Sequence, residues 1–135
     1  MPATLDTNLL LRLALRDIPE QYEAVKDLVT RPGARYRASD AAISEFVHAL
    51  SHHYGLSRPQ VAEIVRAVIT DPSIEANESL LDSVVSVFEA NPALSYMDCY
   101  LAEEARVTGN EPLLTFDKQL ARHHASATLV TVKKT

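Results

Sequence analysis

The stretch Ala3-Thr4-Leu5-Asp6-Thr7-Asn8 decides how the chain is read: a short apolar run ends in a carboxylate, and an amphipathic segment follows at once. Leu9, Leu10 and Leu13 continue at helical spacing, with Asn8 as the expected N-cap. A strand feeding directly into a helix opens a βαβ unit. In open α/β sheets the ligand crevice lies outside the carboxyl ends of the strands, so an acid at position 6 is placed for chemistry rather than packing.

Outward from that start, strands and helices alternate. Pro19 fits the first turn of a second helix, and Tyr22, Val25, Leu28 and Val29 keep its period until Pro32-Gly33 stops it. Tyr36 to Ser39 reads as a second strand, and Asp40 as the cap of a helix carrying Ile43, Phe46, Val47 and Leu50 up to Gly55. Ser57-Arg58-Pro59 opens the next helix, which ends at Asp71-Pro72 before a minimal strand at Ser73 to Glu75. Asn77 to Ala90 and Met97 to Thr108 read as helices, stopped by Asn91-Pro92 and Gly109-Asn110. Leu113 to Phe116 is a strand leading into a short helix from Asp117; Thr128 to Val132 is the last strand, with Lys133-Lys134 as a frayed tail. The pattern predicts one α/β domain over residues 1–135, a three-layer α/β/α sandwich around a central, mainly parallel sheet of four or five strands.

With 135 residues, 47% apolar and 23% charged, the chain has the balance of a globular domain able to bury a core. Its single cysteine, Cys99, permits no intrachain disulfide and no cysteine-based zinc site, and points to a reducing compartment, the cytoplasm by default. No apolar run approaches the ~20 residues of a membrane span. A formal charge of -5, from 13 basic and 18 acidic residues, argues against a general DNA-coating surface and suits a site crowded with carboxylates.

Asp6, Glu45, Asp98 and Asp117 stand apart from the other acids. Each lies beside apolar residues at or near the end of an element or a buried face. Asp6 and Asp117 follow apolar strands, so both are expected at one rim of the sheet; Glu45 and Asp98 lie near the starts of helices, which reach that rim too. Each aspartate also fits a helix N-cap or first-turn acid. Carboxylates gathered at one point repel unless protons or cations neutralise them. A hard divalent ion does so, with magnesium or manganese suited to oxygen ligands, and such an ion supports phosphodiester hydrolysis.

Leu5-Asp6-Thr7-Asn8, Ile43-Ser44-Glu45-Phe46, Tyr96-Met97-Asp98-Cys99-Tyr100-Leu101-Ala102 and Leu113-Leu114-Thr115-Phe116-Asp117-Lys118 resemble, in order and spacing, the PIN-domain ribonucleases. The likeness runs through nearly the whole chain and is nearest to the VapC-type toxins of bacterial toxin-antitoxin pairs. The resemblance implies that Asp6, Glu45, Asp98 and Asp117 are Mg2+ or Mn2+ ligands, with Thr115 and Asn8 as polar helpers. It also implies an RNA substrate, a homodimer, and a cognate antitoxin occupying the active-site groove. Thr115 has independent support, because residues two apart on a strand point the same way.

Other features read as bland. Glu103 and Glu104 lie roughly 140° and 120° around the helix from Asp98 and are expected to face solvent. His48 and His52 have a zinc-compatible i, i+4 spacing, but the sequence lacks an HExxH pattern and they read as solvated helix residues. Cys99 reads as a small buried residue. The basic residues form no run; Lys118 and Arg122, on the helix that starts at Asp117, are the expected phosphate contacts. Two rivals remain: a haloacid-dehalogenase-type phosphatase, which would need a second aspartate where Asn8 stands, and a non-catalytic module of the same fold that binds RNA or protein.

Overall fold

The computed structural model describes residues 2–133, so Lys134 of the expected tail lies outside the described residues. The elements follow as β1 (Ala3–Thr4), α1 (Thr7–Leu15), α2 (Pro19–Val29), β2 (Tyr36–Arg37), α3 (Asp40–His48), a π-helical turn (Ala49–His53), α4 (Arg58–Ile69), β3 (Ile74–Glu75), α5 (Glu78–Ala90), α6 (Tyr96–Val107), β4 (Leu113–Thr115), α7 (Lys118–His123) and β5 (Ala127–Leu129). The expected α/β class holds, with helices flanking short parallel strands.

Every strand pairing is parallel, as a chain that inserts helices between successive strands requires. The strands divide into two ladders, β1-β2-β3 and β4-β5. In the first, Ala3 and Tyr36 are in register with Ile74; in the second, Leu113 pairs with Ala127 and Thr115 with Leu129. The last four strands are shorter than their sequence suggests, β3 and β4 by one residue each. The second stops at Arg37, and the last closes at Leu129, well before Val132.

The helix starts correct two expected caps. Asp6, not Asn8, caps α1: its backbone is extended and its carboxylate accepts the Asn8 amide at 2.6 Å. A carboxylate at the cap satisfies an orphan first-turn amide and also meets the positive end of the helix dipole, which a neutral asparagine already inside the first turn cannot do. Ser39, not Asp40, caps α3 through the Ala42 amide. Asp40 is thereby free to accept the Tyr100 hydroxyl at 2.5 Å, tying α3 to α6. Burial, followed by the hydrogen bonds of the Tyr100 hydroxyl to Asp40 and, at 3.0 Å, to Glu104, raises its pKa above the ordinary value.

The core lies between the helices and the first ladder. Leu10 of α1, Ile43 and Phe46 of α3, Val61 and Val65 of α4 and Leu81, Val84 and Val85 of α5 are fully buried. Each such side chain contributes about 1.5–3 kcal/mol relative to exposure. α6 offers Cys99 and Ala102 to this interior, and burial pushes the Cys99 thiol up to about 11, which fits an inert packing residue.

Glu103 departs from the sequence reading. It is 4% exposed and accepts hydrogen bonds from Arg106 at 2.9 Å, from Ser83 of α5 and from His124 after α7 at 2.6 Å. The Ser126 amide donates to His124 Nδ1 at 3.0 Å, so the opposite ring nitrogen carries the proton given to Glu103. Helical angle measured from Asp98 did not predict this burial, because α6 is covered on more than one side.

Candidate functional site

Asp6 sits where β1 turns into α1, and Glu45 sits in the second turn of α3. The fold brings both to one cleft of about 920 Å³, whose walls also include Thr7, Asn8, Ser39, His48, His53 and Met97. α1 packs against α3, and the Thr7 hydroxyl spans the gap to lie 3.3 Å from Glu45 Oε2 and 3.4 Å from the Ala42 carbonyl. Thr7 thus orients Glu45 from the same turn that carries Asp6. Both carboxylates are exposed, and the Asp6 carboxylate also caps α1.

Asp98 and Asp117 are not among the residues that line this cleft. Asp98 belongs to a capping box at the start of α6: its amide donates to Ser95 Oγ at 3.1 Å, while its carboxylate accepts the Ser95 amide at 3.3 Å. Met97, immediately before it, does reach the cleft wall. Asp117 caps α7 by accepting the Gln119 and Leu120 amides at 2.9 and 3.1 Å. Thr115 works on the same turn, its hydroxyl accepting the Asp117 amide at 3.0 Å. All three aspartates therefore occupy helix starts. β1 and β4, the strands preceding Asp6 and Asp117, lie in separate ladders.

Lys118 and Arg122 are exposed on α7 and form no ion pair among the described residues. Asn8 is exposed on the cleft rim.

The donors at the cleft fit a hard divalent cation. Asp6 and Glu45 offer carboxylate oxygens, and Mg2+ is commonly held through one or two carboxylates, with waters and substrate phosphate completing its shell. Among the described residues no group of three or more His, Cys, Asp or Glu side chains is close enough to hold an ion by itself. The arrangement suits an ion whose remaining ligands come from water and phosphate.

Sequence reasoning did not assign Thr7 or the histidines to this cleft. Thr7 lay next to Asp6, but its bond to Glu45 spans 38 positions and has no local signature. His48 and His52 were recognisable as an i, i+4 pair. His48, the last residue of α3, lines the acid cleft, and the π-helical turn that follows adds His53 to it but not His52. No sequence periodicity predicts that offset, because a π turn inserts a residue into an otherwise regular helix.

The domain is thus an α/β fold in which a strand-end carboxylate, Asp6, and a helical one, Glu45, share an open cleft. The PIN domain family model matches residues 3–125, and the chain belongs to that family. PIN domains are typically metal-dependent nucleases that use Mg2+ or Mn2+. No curated protein matches the chain significantly. Among the described residues no helix is long and apolar enough to cross a membrane.

Proposed function

We propose that this protein is a Mg2+- or Mn2+-dependent endoribonuclease and the toxin of a toxin-antitoxin pair. The observation that carries the nuclease reading is the meeting of Asp6 and Glu45 in one cleft, linked through Thr7, in a chain of the PIN family. Asp6 and Glu45 would hold the ion; Asp98 and Asp117 are assigned to it by the resemblance of their motifs alone, since both lie outside the cleft lining. When bound, the ion supplies neutralisation of charge on a phosphoryl oxygen and a lowered pKa for water. The chain's own part is positional. Thr7 holds Glu45 toward the cleft and Thr115 fixes the turn that carries Asp117, while Lys118 and Arg122, exposed on α7, would contact phosphates of the RNA.

The toxin role rests on the resemblance of the four motifs to VapC-type chains. A homodimer and a protein antitoxin belong to the same reading, supported by the exposed apolar side chains of Leu114 (65%), Phe116 (70%) and Val132 (75%). Action in the cytoplasm is supported by the lone buried cysteine. The phosphatase alternative gains nothing from the fold, since Asn8 stands where its second aspartate is needed.

The test is cleavage of a mixed RNA substrate with MnCl2 or MgCl2. Wild-type protein should cut and Asp6→Asn should not. Cleavage that persists in excess EDTA, or at full rate in Asp6→Asn, would overturn the proposal. Binding of intact RNA without any cleavage would favour the non-catalytic module.

A further inference from the structure

The acid cleft shares a wall with a second cavity of about 600 Å³: Ser44, His48 and Met97 line both. Its volume falls within the roughly 300–1,000 Å³ of small-ligand sites. The two spaces differ in the charged residues that line them. Among the described residues the acid cleft is lined by Asp6 and Glu45, with His48 and His53, and by no lysine or arginine. The second cavity is lined by His48, His52 and Arg58 and by no aspartate or glutamate.

Arg58 is held in place. Its guanidinium stacks 4.1 Å over the Phe88 ring and donates to the backbone carbonyls of Phe88 and Asn91 at 2.7 and 3.2 Å. No carboxylate pairs with it among the described residues; its compensation comes from the carbonyls at the C-terminal end of α5 and the Phe88 ring. The His48 and His52 rings, both in the cavity lining, lie 4.5 Å apart and tilted by 42°. Tyr96, which also lines the cavity, is buried with a hydroxyl that has no hydrogen-bond partner.

A polyanion threaded past Asp6 and Glu45 meets like charge there and needs favourable contacts beside it. An aromatic pair beside a guanidinium that no carboxylate engages suits a nucleotide, the base by stacking and the phosphate by charge. Apolar ligands would not need the cation, and an inorganic anion would not need the rings. We propose that this cavity is a nucleotide subsite of the RNA substrate, where the base next to the scissile bond stacks on His48 and His52 while Arg58 faces its phosphate. The assignment rests on the nuclease reading for its biological use, but binding at the subsite can be measured without turnover.

The experiment titrates AMP, CMP, GMP, UMP and the base-free probe ribose 5-phosphate into the full chain with Mg2+, following the histidine ring resonances by NMR. At least one nucleotide should perturb His48 and His52 and bind about tenfold tighter than ribose 5-phosphate. His52→Ala, a change at an exposed position, should bring the two probes to the same affinity and leave thermal stability unchanged. Equal affinity for nucleotide and sugar phosphate in the wild type would overturn the subsite, as would an undiminished preference in His52→Ala. Failure of all four nucleotides to bind, the result expected if the cavity instead receives a protein segment, would overturn it too. RNA cleavage without these perturbations would sink the subsite and leave the nuclease reading intact. Nucleotide binding without cleavage would do the reverse.

Discussion

Glu103 should be the largest single contributor to the acid sensitivity of this fold. Burial alone would raise its pKa, but hydrogen bonds from Arg106, Ser83 and His124 outweigh that and hold it at about 2, against an ordinary 4.5. A carboxyl depressed on folding stabilises the protein above the unfolded value and loses that contribution as pH falls through the folded one. The window is therefore about pH 4.5 down to 2. At ~1.4 kcal/mol per pH unit, the displacement corresponds to about 3 kcal/mol. Urea denaturation of wild type and Glu103→Gln at several pH values across this window isolates the effect, because the remaining acids titrate in both proteins. Wild type should start more stable at pH 7, and the gap should narrow by about 3 kcal/mol by pH 2. Parallel stability curves would refute the reasoning, and would mean that the charge on Glu103 contributes nothing net to the His124–Glu103–Arg106 network.

Four further outcomes follow from the same geometry. Asp6→Asn keeps an N-cap acceptor, so its stability should stay within about 1 kcal/mol of wild type while RNA cleavage falls to the level of the EDTA control. Removing divalent ions with EDTA should abolish cleavage, and adding Mn2+ back in excess should restore it, as read by gel. Ser95→Ala removes half of the α6 capping box and should cost about 1 kcal/mol in urea denaturation; no measurable loss would mean that Asp98 alone suffices to order that turn. Ile43→Ala, at a fully buried position on α3, should cost about 2–5 kcal/mol by the same assay.

The sequence by itself determined what local chemistry determines. Hydrophobic periodicity located the helices. The apolar run before Asp6 and the one ending at Phe116 located the outer strands, and the order of acidic motifs pointed to the PIN family, which the family match over residues 3–125 shows. Caps were less legible. Asp6 and Asn8, or Ser39 and Asp40, are chemically adequate neighbours, and only backbone conformation selects between them.

Tertiary structure decided everything that depends on two elements meeting. Packing of α1 on α3 brought Asp6, Thr7 and Glu45 into one cleft, while Asp98 and Asp117 took up capping bonds at their own helix starts. It also buried Glu103, because α5 and the turn after α7 both close over α6, a coverage that the helical period of one segment cannot encode. The end of α3 and the π-helical turn distributed the histidines over two adjoining spaces, His53 to the acid cleft, His52 to its neighbour and His48 to both. Period and composition act along the chain, so they specify elements. A site is built from contacts between residues tens of positions apart, and only the packed fold fixes those.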